Sequence, residues 1–283
     1  MRAVKDYEPF LSAVLSSVTS EAKFEASPNL AEILHDYPQT VVAFNQATPL
    51  GWLPAVSMLA KEVAAAGGGE RIPTVIMDRF FYKLPLMRPL ERFITQSSHS
   101  LRFEDLVETF QDGTATDLLV FPEGSNVFTG ELDSIHDFRS SRFVEFATRM
   151  GYPILLAVHR GSENWALPAE LPSFLRTPLM MTPSALIQKI ALGGRLNLPW
   201  PSGKIPSFQM HCEVWTGHLQ FRKLPFEGEE AQKKAEAEAA KIRDRMSEIY
   251  AAMGGDSPTA DPQGTAVTSQ QKTQEATQEV GAE

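Results

Sequence analysis

The chain of 283 residues contains a single cysteine, Cys212, so it closes no internal disulfide and asks nothing of an oxidising compartment. A reducing cytoplasm is the expected location. No apolar run reaches the roughly 18 to 20 residues that a membrane-spanning helix needs, and the opening MRAVKDYEPF lacks the basic-then-apolar order of a secretory signal. A cytoplasmic protein is expected, at most peripheral at the inner membrane. A basic excess is missing too: 26 Lys and Arg face 35 Asp and Glu, and residues 227–283 alone hold 6 cations against 12 carboxylates. The near-neutral body that remains excludes ordinary nucleic-acid binding. No His and carboxylate set has metal-ligand spacing, so no metal is expected. The Gly-x-Ser-x-Gly elbow of serine hydrolases is also missing.

What is present suffices for a core. Apolar residues make up 43% of the chain, enough for one large domain at this length. Val4, Tyr7, Phe10, Leu11, Val14, Leu15 and Val18 recur at helical spacing and predict an amphipathic helix, packed on the body or laid on a membrane surface. The run TVVAF at 40–44 predicts a buried strand ending in the loop NQATPLG. A helix over 52–66 follows, stopped by Gly67, Gly68 and Gly69. Because that triplet ends a helix instead of opening one after a strand, it does not read as a phosphate loop. Further strands are predicted over 73–77, 117–121, 153–158 and 208–214, and further helices over 103–110, 140–150, 183–192 and 229–253.

Strands alternating with helices predict a single α/β layered domain with a mainly parallel central sheet flanked by helices, its ligands at the carboxyl ends of the strands. The organisation reads as an N-terminal helical segment over 1–36, the α/β domain over 37–226 and a C-terminal helix over 227–253. Residues 254–283 are too poor in large apolar side chains to offset their ordering entropy and are expected to be disordered.

One tract carries a more specific message. Phe121-Pro122-Glu123-Gly124-Ser125 ends a strand, Gly130 and Phe138-Arg139 follow, and a helix then leads to the apolar run Pro153-Ile154-Leu155-Leu156-Ala157. This order of motifs resembles the central part of the glycerolipid acyltransferase family, which includes the lysophosphatidate acyltransferases, and the resemblance extends over about residues 40–222. It implies a glycerolipid acyltransferase-like fold, an acyl donor carried on CoA or acyl carrier protein, no further cofactor, and a glycerolipid-like acceptor. Proline and glycine around a carboxylate at a strand end fix a tight turn, hold Glu123 at the ligand edge and let backbone N–H groups face an anionic acceptor. A strand-ending turn with a solvated glutamate is the plainer reading. Phe121, Pro122, Glu123, Gly124, Ser125 and Arg139 are therefore candidate substrate-binding residues, with Arg139 equally readable as a surface cation.

The family also carries a His-x4-Asp dyad after its first strand, and here that frame reads Asn45-Gln46-Ala47-Thr48-Pro49-Leu50-Gly51. Asn45 and Thr48 match and join the candidate binding residues. Gln46 and Gly51 occupy the dyad positions. In the family the histidine takes the proton of the acceptor hydroxyl and the aspartate orients the imidazole. Glutamine has no basic nitrogen and glycine no side chain, so neither role survives. His159, read as closing the strand over 153–158, is the candidate substitute base, against the ordinary reading of a hydrogen-bonded histidine.

The stretch that binds the acceptor phosphate in the family reads LERFITQSSHS, with Arg92 before the apolar pair, and Asn126 replaces an arginine after the Phe-Pro-Glu-Gly turn. Arg92, Arg102 and Arg139 are the cations able to compensate. His35 and His99 read as solvent-facing. Residues 79–92 interleave Arg79, Lys83, Arg88 and Arg92 with aromatic and long apolar side chains. Such a tract suits an anionic membrane surface, an acyl carrier protein, or a structural turn with snorkelling cations. Two functions stay open: transfer of a fatty acyl group with a substituted site, or a non-catalytic, regulatory pseudo-acyltransferase that binds acyl chains or lipid.

Overall fold

The computed structural model describes residues 1–76, 102–182, 184–222 and 228–254, apart from the side chain of Ala185. The tract 79–92, with Arg92, as well as His99 and the tail beyond 254, lie outside the described residues. The elements below belong to one compact unit, Met1–Met253.

The strand β2 (Thr40–Phe44) is TVVAF, and all five of its residues are buried. A strand covered on both faces reads as a continuous apolar run, not as an alternation. It sits inside a six-stranded sheet built also from β1 (Thr19–Ser27), β3 (Pro73–Val75), β4 (Asp117–Val120), β5 (Ile154–Arg160) and β8 (Ile205–Trp215), in the order β1-β8-β5-β2-β4-β3. Strands β2 to β5 run parallel, with Ala43 opposite Val120 and Phe44 opposite Ala157. Strand β8 runs antiparallel to β5, and β1 parallel to β8. The sheet is mainly parallel with one antiparallel junction.

Helices cover both faces. On one lie α4 (Phe103–Gln111), α5 (Arg142–Met150) and α8 (Gly228–Met253), packed on Val41, Ala43, Leu118, Val120, Leu156 and Val158. On the other lie α1 (Val4–Val18), α2 (Leu30–Asp36) and α3 (Trp52–Ala65), packed on Val42, Phe44, Leu119, Leu155 and Phe208. Successive residues of each strand thus serve opposite cores, as a period of two requires. The helix α8 shows the matching period of three to four, burying Ala235, Ala239, Ile242, Met246, Ile249 and Tyr250.

At the amino ends of β2 and β4, Asp117 receives Arg71 on both oxygens, at 2.8 and 2.5 Å, and the hydroxyls of Thr40 at 2.5 Å and Thr116 at 2.7 Å. This buried network staples the sheet at the edge opposite the candidate site.

Several expectations change. Residues 1–36, expected to be helical, contain β1, whose sequence TSEAKFEAS is largely exposed and joins the sheet only at its edge. A polar edge strand has no apolar signature to read. Strand β5 continues to Arg160, two residues past its expected end, because β8 pairs with it throughout. A small lobe went largely unread: the hairpin of β6 (Ala166–Glu170) and β7 (Arg195–Pro199) and the helix α6 (Ser173–Met180) were not expected, while α7 (Ala185–Gly193), between the same strands, matches the helix expected over 183–192.

Candidate functional site

Strand β2 leads into α3 on one face of the sheet, while its neighbour β4 leads into α5 on the other. Adjacent strands whose chains leave toward opposite faces open a crevice at their carboxyl ends. The loops after β2, β4 and β5 meet there.

Glu123 is fully buried, and its two oxygens are both used: Oε1 accepts the backbone N–H of Gln46 at 2.7 Å and Oε2 that of His136 at 2.8 Å. The carboxyl group is a clamp between two loops. It is neither solvated nor turned toward an acceptor, which corrects both expectations for it. Burial pushes its pKa up to about 8, against the two amides, which favour the ionised form. Around it, Phe121 stacks on Phe44 with ring centroids 5.1 Å apart, and the carbonyl of the buried Pro122 accepts Arg139 N–H at 2.8 Å. Gly124 and Ser125 open a 3-10 turn over Gly124–Phe128 and are half-buried, while Arg139 is exposed.

Asn45 extends the β2–β5 ladder with its side chain. Its Oδ1 accepts His159 N–H at 2.7 Å and its Nδ2 donates to the His159 carbonyl at 2.9 Å. The Asn45 carbonyl meets Nε2 of the same histidine at 2.9 Å. A carbonyl only accepts, so Nε2 carries the proton and Nδ1 is a lone pair, without a partner among the described residues. The ring is fully buried and stacked on Phe208, and burial lowers its pKa to about 4. This neutral, sealed imidazole is a core histidine. This is the hydrogen-bonded histidine of the ordinary reading, and a ring with no exposed surface is placed against the role of substitute base.

The dyad positions are occupied differently from a catalytic pair. Gln46 is buried and enters the clamp through its backbone. A Cβ on Gly51 would stand 2.8 Å from Ser162 Oγ and 3.2 Å from Thr48 Oγ1. Both hydroxyls are fully buried, and neither has a hydrogen-bond partner among the described residues. The space beside Gly51 is thus flanked by two hydroxyls without partners among the described residues.

Ser162 reaches this place because the chain turns at Gly161, at φ 109°, where a Cβ would stand 2.1 Å from the Ser207 carbonyl. Glu163 fixes the turn, accepting Gly161 N–H at 2.5 Å and the Tyr250 hydroxyl at 2.6 Å from α8. Neither Ser162 nor Glu163 belongs to a recognisable motif. A glycine directly after an apolar strand was the available signal.

His136 was missed as well. Its backbone joins the clamp, its half-buried ring leaves Nε2 without a partner among the described residues, and burial lowers its pKa. It lies in the motif-bearing tract, between Gly130 and Phe138-Arg139. Asn126 spans the neighbouring loop, donating to the Asp137 carbonyl and accepting Lys189 Nζ, each at 2.6 Å.

A groove of about 1020 Å³ lies apart from the buried clamp, between α5, α8 and the segment 137–142. Arg139 lines it with Arg142, Arg149 and Arg243, facing Glu145 and Glu229. Charges of both signs make it a poor receptacle for an acyl chain. Among the described residues no helix is long and apolar enough to cross a membrane, and no group of three potential ligands could hold a metal ion. Comparison with protein-family models, with curated proteins and with solved structures found no match to this chain.

Proposed function

We propose that this chain is an acyltransferase-family protein that holds a lipid or acyl ligand at the crevice between β2 and β4 without turning it over by general-base catalysis. The carrying observation is the clamp: Gln46 N–H on Glu123 at 2.7 Å brings the dyad frame and the Phe-Pro-Glu-Gly turn together, with no imidazole in the frame. General-base catalysis needs a base within hydrogen-bond reach of the acceptor hydroxyl, with a pKa near the working pH. Gln46 offers no basic nitrogen, and His159 is sealed with its pKa at about 4. The hydroxyls of Thr48 and Ser162, without partners among the described residues, supply the reason to expect a ligand. An unsatisfied buried polar group costs about 1 to 3 kcal/mol, so two at one crevice point to a bound polar atom that completes them.

Equilibrium binding with labelled long-chain acyl-CoA and lysophosphatidate tests the reading. Retention by the native chain, weakened at least about fivefold by Thr48→Val with Ser162→Ala, supports it. No retention of either ligand defeats it.

One observation favours a second reading, an acyltransferase with a relocated base. The half-buried His136 adjoins the clamp, and its Nε2 has no partner among the described residues. Transfer activity that His136→Ala abolishes and His159→Gln spares would establish it.

A further inference from the structure

We propose that the lobe of β6, α6, α7 and β7 is a docking surface for an anionic lipid bilayer. Of the eleven exposed large apolar side chains among the described residues, eight lie between Leu167 and Trp200. Phe174 is 75% exposed, Met181 84%, Leu192 68% and Trp200 58%. Helix α6 buries no residue at all. Single exposed apolar residues are normal on a protein surface, but a concentration of this kind marks an interaction site.

The lobe is oriented. Asn197 on β7 points inward, donating to the carbonyls of Val127 and Gly130 at 3.0 and 2.8 Å. Leu198, the next residue, projects from the opposite side of the ladder, where its cross-strand partner Leu167 is exposed beside it. One side of the hairpin is therefore fixed to the loop that follows the Phe-Pro-Glu-Gly turn, and the other presents leucines outward.

Charge selects the partner. Residues 166–204 carry Arg176, Lys189, Arg195 and Lys204 against Glu170 alone, in a chain whose net charge is −9, and all four cations are exposed. Long apolar and aromatic side chains on a lobe with a cationic excess match an interface of acyl chains below anionic headgroups, with the amphipathic ring of Trp200 at headgroup level. An acidic protein partner would use the cations and leave most of this apolar surface unburied. Its occupancy does not depend on what the crevice binds or whether it reacts.

Co-sedimentation tests the proposal, using the full chain with vesicles of phosphatidylcholine alone or mixed with phosphatidylglycerol. Retention is expected on the mixed vesicles and should weaken as salt rises. Phe174→Ser with Met181→Ser and Leu192→Ser should weaken it at least about tenfold, and so should Arg176→Glu with Arg195→Glu. On mixed vesicles the emission of the native chain should shift to the blue, and Trp200→Phe should remove that shift. The absence of retention overturns the proposal, as does retention unchanged in the serine variant or a shift that persists without Trp200. A dimer that only the native chain forms, retained on neither vesicle, would assign the surface to a second copy instead.

Discussion

The Glu123 carboxyl group and the Gln46 amide meet at 2.7 Å across 77 residues of chain. With His136 on the other oxygen at 2.8 Å, this one side chain holds the loop after β4 against the loop after β2. Glu123→Ala leaves two N–H groups unpaired at a buried place, each costing about 1 to 3 kcal/mol. The variant should lose about 2 to 5 kcal/mol in denaturant unfolding, with faster hydrogen exchange at the amides of Gln46 and His136. A loss within about 0.5 kcal/mol, the range of ordinary surface changes, would deny the clamp.

Two of the buried titratable groups, Glu123 and His159, give stability opposite slopes with pH. The folded Glu123 carboxyl holds its proton up to about pH 8, and the ordinary carboxyl only to about 4.5. Its contribution is therefore full below 4.5 and drains as pH rises toward 8. Folded His159 takes a proton only near pH 4 instead of 6.5, so its contribution is full above 6.5 and is lost as pH falls toward 4. Between pH 6.5 and 8 only Glu123 of this pair acts. Across that window the native chain should lose on the order of 1 to 2 kcal/mol more than Glu123→Gln. Parallel slopes for the two proteins would show that the carboxyl is already ionised.

The elements with strong periodicity were legible in the sequence. TVVAF, the strand before Phe-Pro-Glu-Gly, and the helices α3, α5 and α8 fall within a residue or two of their expected places, because burial on one or both faces writes itself as apolar spacing. The edge strand β1 and the hairpin of β6 and β7 were not legible, since most of their side chains face solvent and carry no apolar pattern. At the site, the sequence named Asn45, Gln46, Thr48, Gly51, Glu123 and His159, and the structure places all six at the carboxyl edge of the sheet. Their roles were harder to read. Whether a glutamate faces solvent, ligand or two backbone amides is decided by residues 46 and 136, which no local motif links. Ser162 reached the site through a turn, and a turn leaves only a glycine as its trace.

Installing a His-x4-Asp dyad in the frame Asn45–Gly51 meets a steric obstacle at Gly51. Any side chain there begins 2.8 Å from Ser162 Oγ, closer than nonbonded atoms tolerate, so Gly51→Ala should cost about 1 to 3 kcal/mol by overpacking. Ser162→Gly should recover most of that cost, giving a non-zero interaction energy in a double-mutant cycle of melting free energies. Additive costs would place the two residues out of contact. The double change Gln46→His with Gly51→Asp is thus expected to install a base only when Ser162→Gly accompanies it.

At the far edge of the sheet, Arg71 and Asp117 form a buried pair with two bonds between them. Removing Arg71 leaves the carboxylate in place with only the hydroxyls of Thr40 and Thr116. Arg71→Met should destabilise by about 3 to 5 kcal/mol, and adding Asp117→Leu should recover part of that, since a buried ion pair is costlier to break than to replace. A double variant no more stable than the single one would contradict this.

The claim that the chain lacks a working base is tested most directly by single-turnover transfer of a labelled long-chain acyl group from acyl-CoA or acyl carrier protein to lysophosphatidate. The native chain should show no transfer above the protein-free background. Gln46→His with Gly51→Asp and Ser162→Gly should raise the rate at least about tenfold, within the about 10² to 10⁴ that a positioned base contributes. Robust transfer by the native chain, lost on His136→Ala, would contradict the account and move the base to that histidine.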